Sequence, residues 1–187
     1  MLIDLTMPIT PEMLESQKTL KKELEGHLGT HFDVMNESFP LEYTRRRGVL
    51  FDVRAAKEEI DVSDVDLSLV SRDTFVLLYT GYSEKEPYGT RTYYSEHPQL
   101  THALIEALVA RGVSIIGVDC AGVRRGKEHT PTDRYCAERG VFIVENLCGV
   151  DALLRSGGEF TVHTYPMYYT SLTGLPCRVI AEVEETK

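Results

Sequence analysis

Two histidines and an aspartate lie close together near the start of the chain, in the stretch GHLGTHFD at residues 26–33. Gly29 lies between His27 and His31 and lets the backbone pass close to a bound ion. If the chain is extended from His31 to Asp33, both side chains point to one face. Imidazole and carboxylate together are ligands for zinc, manganese or iron. The stretch is a candidate metal site, although two close histidines can also decorate a surface loop.

The elements that must position these side chains alternate along the chain. Hydrophobic patterns predict strands at residues 2–5, 48–53, 73–79, 114–119, 141–144, 160–165 and 177–183, and helices at residues 11–25, 100–110, 130–139 and 150–154. Thr130 is predicted to be the N-cap of its helix, with Pro131 at the first helical position. The alternation between residues 73 and 145 predicts an α/β fold with a parallel core. The less regular segment before it favours a mixed sheet.

Composition restricts the classes of function. The 187 residues include 20 Lys and Arg against 29 Asp and Glu, which gives a formal charge of −9. Nucleic acid is therefore not an expected partner, because such binding relies on basic residues that neutralise phosphates. Without a repeat or a linker-like stretch, residues 1–187 are expected to form one domain. A chain of this length buries enough surface to fold without a structural metal, so a bound metal would serve chemistry.

The distribution of apolar residues and cysteines bears on location. We expect no membrane association, because the chain contains no uninterrupted run of about 18 apolar residues. The acidic N-terminal stretch is unlike a signal peptide. Four widely spaced cysteines (Cys120, Cys136, Cys148 and Cys177) predict reduced thiols in a cytoplasmic protein. Cys120 is interpreted as a buried thiol rather than a nucleophile.

The stretch at residues 26–33, called the histidine strip below, resembles the pattern H-x-G-T-H-x-D-x-P-x-H of the cyclase family. This family includes bacterial kynurenine formamidase and isatin hydrolase. Five of its seven fixed positions are matched, by His27, Gly29, Thr30, His31 and Asp33. Four further segments are similar to family segments in the same order: IDLTMPIT, DTFVLLYTGYSE, GVSIIGVDCAG and FIVENLCGVDALL. The resemblance implies a mixed α/β fold of the swivelling β/β/α kind, assembled as a homo-oligomer, a dimer or a tetramer.

The resemblance also implies a set of metal ligands. In the family, the two histidines and the aspartate of the strip bind metal, and a histidine and a glutamate from a later segment complete the site. By position, the expected ligands are His27, His31, Asp33, Asp133 and Glu145. Asp133 stands where the family has its third histidine, which makes the ligand set harder and more anionic. We expect one or two divalent cations, zinc or manganese, with this replacement favouring manganese or magnesium over zinc.

Three other positions depart from the family pattern. Met35 replaces its proline, Gly122 replaces a serine, and Glu37 replaces its final histidine, which carries protons. Glu37 is therefore the predicted catalytic proton carrier. A glutamate can take this role only if its surroundings raise its pKa.

Other candidate residues leave alternatives open. His129 could supply an imidazole if its loop folds back, but we expect it to be solvated just outside the helix cap. Tyr88, Tyr93 and Tyr94 could line an aromatic substrate pocket or pack at a subunit interface. The substrate-binding residues are not predicted.

Two functions are compatible with these residues. The first is a metal-dependent hydrolase in which an activated water attacks the carbonyl of a small amide or cyclic amide. The second is a non-catalytic family member that serves as a binding or structural module. The replaced histidines motivate this second hypothesis. A further alternative is that the strip is a structural loop of an unrelated α/β enzyme. Convergence of Glu37, Asp133 and Glu145 with the two histidines would favour the hydrolase.

Overall fold

The computed structural model describes residues 1–17, 25–56, 58–157 and 159–184 of the chain. The strands in these ranges are β1 (Leu2–Asp4), β2 (His31–Asp33), β3 (Arg45–Asp52), β4 (Glu59–Ile60), β5 (Phe75–Tyr79), β6 (Gln99–Leu100), β7 (Ile115–Val118), β8 (Phe142–Glu145), β9 (Phe160–Pro166) and β10 (Gly174–Val183). The α-helices are α1 (Pro11–Gln17), α2 (Arg91–Ser95), α3 (His102–Ala110), α4 (His129–Ala137) and α5 (Val150–Ser156). The helix predicted for residues 11–25 begins as expected, and residues 18–24 lie outside the described part.

A mixed sheet of eight strands forms the centre of the molecule. Its order is β1-β10-β2-β8-β7-β5-β3-β9, and β9 also pairs with β10, so the sheet closes on itself like a barrel. The central strands β3, β5, β7 and β8 are parallel to their neighbours in this group. The remaining pairings in this sheet are antiparallel. The predicted mixed α/β fold with a parallel core is therefore confirmed.

The parallel strands are buried on both faces, as their continuous apolar sequences predict. All five residues of β5 are buried. Phe75 and Leu77 belong to one apolar cluster, whereas the alternate residues Val76 and Leu78 belong to another. Because successive side chains of a strand point to opposite faces, each cluster covers one face of the sheet. This burial fixes the register of the strands that carry the candidate site.

Helix α3 agrees with its sequence signal. The hydroxyl of Thr101 accepts a hydrogen bond from the Leu104 backbone N–H at 3.2 Å, as an N-cap residue does. Leu104, Ile105 and Leu108 form its buried stripe. The helix packs this stripe into the cluster that covers one face of the sheet.

Helix α4 begins two residues earlier than predicted, at His129 instead of Pro131. A 3₁₀ turn at Gly126–Glu128 leads directly into the helix, which starts at His129. Thr130 lies inside the first turn, so its prediction as the N-cap is wrong. The earlier start puts His129 and Asp133 four residues apart within the same helix, where side chains lie on one face. This difference decides the composition of the site.

Among the described residues, no helix is long and apolar enough to cross a bilayer. The four cysteines are free thiols, and Cys120 is buried as predicted.

Candidate metal centre

The pairing of β2 with β8 brings the first acid to the histidine strip. His31 lies directly opposite Glu145 in this antiparallel pair, and both side chains are buried. His31 Nε2 lies 3.6 Å from Glu145 Oε2. Asp33, two residues further along β2, points to the same face, and its Oδ1 is 3.7 Å from the same nitrogen. Three predicted site residues therefore meet where β2 begins and β8 ends.

His27 completes the strip from the turn before β2. Its Nε2 lies 3.1 Å from Asp33 Oδ1, and its ring packs edge-on against His31 with the ring centroids 4.9 Å apart. Gly174, the first residue of β10, makes room for this ring. A Cβ at Gly174 would lie 2.7 Å from three atoms of the His27 imidazole.

Helix α4 contributes two more side chains. His129 Nε2 lies 3.4 Å from Asp133 Oδ2 and 3.7 Å from Glu145 Oε1. Asp133 is buried, whereas the His129 side chain is 31% exposed, which places it at the open edge of the cluster. The expectation that His129 is solvated outside the helix cap is therefore wrong. Because the helix starts at His129 itself, the ring turns inward instead of preceding the helix.

Backbone carbonyls fix the orientation of two of the imidazoles. His31 Nδ1 donates a hydrogen bond to Gly29 O at 2.9 Å, and His129 Nδ1 donates one to Arg124 O at 3.0 Å. A carbonyl oxygen can only accept, so these Nδ1 atoms carry the protons. Burial lowers the pKa of His31 and favours its neutral form. The Nε2 lone pair of His31 therefore faces carboxylate oxygens, an arrangement typical of metal-binding histidines.

The pKa values of the three carboxylates are shifted in opposite directions. Burial alone would raise the pKa of Asp33, but the facing imidazoles, above all His31, outweigh this effect and lower the pKa to about 2. Burial and the charge of Asp33 raise the pKa of Asp133. Burial and the charges of both aspartates raise the pKa of Glu145. Three buried carboxylates this close together can all stay ionised only if a cation compensates their charge. Without a cation, they take up protons.

The geometry of the cluster fits a divalent cation. Two overlapping groups, His27 with His31 and Asp33, and Asp33 with His129 and Glu145, each have ligand atoms within 4.8 Å of one another. Ligands that surround one cation at about 2.1 Å lie roughly 3.0–3.4 Å apart, close to the contact distances found here. Both oxygens of Asp133 and Oε1 of Glu145 are buried and accept no hydrogen bond from the described residues.

Five of the six predicted site residues come together in the structure. His27, His31, Asp33, Asp133 and Glu145 are brought into one cluster, to which the structure adds His129. The sequence signal for His129 was its spacing of four residues before Asp133, which requires both residues to lie in the helix.

Glu37 is placed elsewhere. Its side chain is exposed, and it belongs to neither group of possible ligands in the described part of the chain. Met35 and Asn36 have φ angles of 49° and 72° and form a left-handed turn that is separated from the end of β2 by one residue. This turn redirects the chain after Asp33, so the spacing in sequence does not bring Glu37 into the cluster.

A hydrogen-bond network holds the backbone of the histidine strip at Gly29. Asn146 Nδ2 donates to Gly29 O at 3.0 Å, the same oxygen that holds His31. Tyr93 donates its hydroxyl hydrogen to Asn146 Oδ1 at 2.9 Å, and both residues are buried. The hydroxyl of Tyr88 accepts a hydrogen bond from the Gly29 N–H at 3.0 Å. The network fixes the peptide on which the orientation of His31 depends.

The three tyrosines pack together beside the strip. The ring centroids of Tyr88, Tyr93 and Tyr94 lie 5.3 to 5.9 Å apart in edge-on contacts. Tyr94 is 47% exposed, so this cluster presents aromatic surface next to the candidate metal centre.

Comparison with protein families gives a match to the Cyclase family, described as "Putative cyclase", over residues 3–125. The matched part contains the histidine strip and the strands up to β7. The chain belongs to the cyclase family. A comparison with curated proteins found no match.

Solved structures share the cyclase fold with this chain. One is a potential metal-dependent hydrolase with cyclase activity, with 23% identity, a TM-score of 0.79, and coverage of 100% of this chain and 99% of the other. Another is a predicted metal-dependent hydrolase from Bacillus stearothermophilus, with 21% identity, a TM-score of 0.76 and 97% coverage of both chains. Isatin hydrolase A from Labrenzia aggregata has 19% identity, a TM-score of 0.76, and coverage of 99% and 94%. These similarities confirm the predicted fold over the full chain.

Proposed function

We propose that this cyclase-family member is a metal-dependent hydrolase that opens an amide or cyclic amide bond in a small molecule. The observation that carries the proposal is the convergence of three imidazoles and three carboxylates, with the His31 Nε2 lone pair directed at acidic oxygens. Buried carboxylates this close together either need a compensating cation or take up protons, and the facing His31 Nε2 lone pair suits a cation. The hydrolases of similar fold support the choice of reaction class.

The cluster offers room for one or two cations. His27, His31 and Asp33 would hold one, and Asp33, His129 and Glu145 would hold the other or complete the first, with Asp133 beside His129. The third imidazole, from His129, softens the ligand set relative to the one expected from sequence, so both zinc and manganese suit it. When bound, a divalent cation supplies Lewis acidity, which polarises a carbonyl and promotes deprotonation of water.

The chain's own residues would bind and orient the substrate. The partly exposed side chains of His27 and His129 mark the side of the cluster from which a carbonyl group can approach. Tyr88 and Tyr94 would contact an aromatic or cyclic substrate on that side. Glu37 is the proposed proton carrier to the leaving nitrogen, which requires its exposed side chain to reach the bound substrate.

The experiment combines metal analysis with a substrate panel. Protein purified without chelator is analysed for metal, then assayed with formamides, lactams and lactones in added zinc or manganese. We expect bound metal and metal-dependent turnover of at least one amide. His31→Ala should abolish both, whereas His102→Ala, which changes an exposed histidine of α3, should leave both unchanged. Absence of metal binding in the unmodified protein would contradict the proposal.

The exposed position of Glu37 favours a second candidate function, a non-catalytic binding module. Such a module would bind the cation but turn over none of the amides. The amide panel separates the two functions, because only the hydrolase turns over a substrate. In an active enzyme, Glu37→Gln tests the proton carrier, whose loss lowers kcat by about 10²–10⁴-fold. If the substitution leaves kcat unchanged in an active enzyme, Glu37 is not the proton carrier.

A further inference from the structure

Gly122 lies against the ring of His129. It belongs to the buried loop after β7 and has a φ of +116°. A Cβ at this position would lie 2.6 Å from His129 Nδ1 and 2.7 Å from its Cε1. The same Cβ would lie 3.0 Å from Glu145 Oε1. Real Cβ contacts are not this short, so any side chain at residue 122 would displace the imidazole.

The loop that contains Gly122 also holds the ring by a hydrogen bond. Arg124 O, two residues further on, accepts the proton of His129 Nδ1 at 3.0 Å. The ring is thus packed on one side by the bare backbone of Gly122 and held at Nδ1 by the next part of the same loop. These two contacts direct Nε2 toward Asp133 and Glu145.

The loop is itself firmly anchored, so it cannot simply move away from a larger residue. The Arg124 guanidinium donates to Leu100 O at 2.8 Å and to Glu59 at 2.9 Å. It also bonds to Glu128, which precedes α4. The strain from an added side chain at residue 122 would therefore fall on His129.

We propose that Gly122 is a positioning residue whose missing side chain allows His129 to supply the third imidazole of the metal centre. In this arrangement the imidazole comes from one helical turn before Asp133, and Asp133 contributes a carboxylate beside it. The inference rests on the proposed metal site and deepens it. It explains the presence of His129 in the ligand set by the space that the missing side chain of Gly122 leaves open.

The test measures zinc affinity by competition with a chromophoric chelator. Gly122→Ala should weaken zinc binding by about 10–100-fold, the range typical when a residue that orients a ligand is lost. Gly126→Ala is the matched control. Gly126 also has a positive φ, +60°, in the same segment, but nothing lies within 4 Å of its Cβ position. It should keep zinc affinity within about twofold of the wild type.

A double-variant cycle separates positioning from general damage. In a His129→Ala background, adding Gly122→Ala should cost less than about twofold in further zinc affinity, because the ring it would displace is gone. An equal loss with and without the ring would overturn the proposal.

Urea unfolding of the metal-free proteins provides a second readout, which does not depend on metal binding. Gly122→Ala should lower the unfolding midpoint more in the wild type than in the His129→Ala background. If both backgrounds lose equally, or fail to fold equally, backbone strain rather than the ring is responsible, and the proposal fails. If the unmodified protein binds no zinc or manganese, the proposed function fails, while this unfolding cycle still decides whether Gly122 positions His129.

Discussion

At the scale of single residues, the candidate site depends on which ring nitrogen carries the proton. The carbonyl of Gly29 holds the Nδ1 proton of His31, and the carbonyl of Arg124 holds that of His129. Both carbonyls therefore set the direction in which Nε2 of each ring points. Gly29 O also accepts a hydrogen bond from Asn146, which fixes the oxygen in place.

Asn146→Asp is predicted to weaken metal binding although Asn146 is not among the proposed ligands. The substitution keeps the size of a residue whose φ is +57°, but it replaces the Nδ2 donor by an oxygen that repels Gly29 O. The Gly29 carbonyl that orients His31 then loses its second donor and is less firmly positioned, so zinc affinity should fall by about 10–100-fold in the chelator competition.

The matched control is Asn36→Asp, which changes an exposed asparagine with a φ of 72°. It should leave zinc affinity within about twofold. Equal affinity of the Asn146→Asp variant and the wild type would show that the Gly29 carbonyl needs no second donor.

At the scale of elements, the start of α4 decides which side chains enter the site. The Thr130-Pro131 signal is a good N-cap pattern, but the 3₁₀ turn before it already directs the chain into the helix. Successive residues of a helix are rotated by about 100°. His129 and Asp133, four residues apart, therefore lie on one face because the helix starts at His129 instead of at Pro131.

Arg124 fastens this segment to the small parallel sheet of β4 and β6. Arg124→Lys should lower the free energy of unfolding by about 1–3 kcal/mol, because lysine cannot bond at once to Glu59, Glu128 and the Leu100 carbonyl. Urea unfolding measures the change.

Arg125→Lys is the control for this prediction. Arg125 makes an exposed bond to Ser95 O, so its substitution should change stability by no more than about 0.5 kcal/mol. Similar losses for the two variants would mean that the guanidinium of Arg124 adds nothing beyond its charge.

At the scale of the whole molecule, stability depends on a histidine outside the metal centre. His97 is completely buried, and burial lowers its pKa from 6.5 to about 4. Between these values the unfolded chain binds more protons than the folded one. The contribution of His97 is therefore present in full above pH 6.5 and is lost as pH falls toward 4.

The prediction is a comparison of wild type with His97→Gln. Between pH 7.5 and pH 5, the free energy of unfolding of the wild type should fall by about 2 kcal/mol more than that of the variant. Urea unfolding at both pH values measures this difference. His102→Gln, at an exposed position, should retain the wild-type pH dependence. The same dependence in the His97 variant would contradict the assignment.

Local patterns in the sequence were sufficient for the parallel core of the sheet and for one half of the site. The apolar runs predicted the parallel strands, because strands covered on both faces have a distinctive composition. The short spacing from His27 to Asp33 placed these side chains together, since a turn followed by an extended segment leaves them little freedom. The position of Glu145 at the end of β8 followed from the same strand prediction.

The family resemblance already gave Asp133 and Glu145 as expected ligands, and tertiary structure alone decided that His129 joins them and that Glu37 does not. His129 enters because its helix starts early and because Gly122 leaves space for its ring. Glu37 stays outside because a left-handed turn follows β2. These outcomes depend on side-chain direction and on the absence of a Cβ atom at one point in space. The spacing of four residues from His129 to Asp133 does not determine this outcome by itself, because the direction of the His129 ring depends on a loop that packs against its helix.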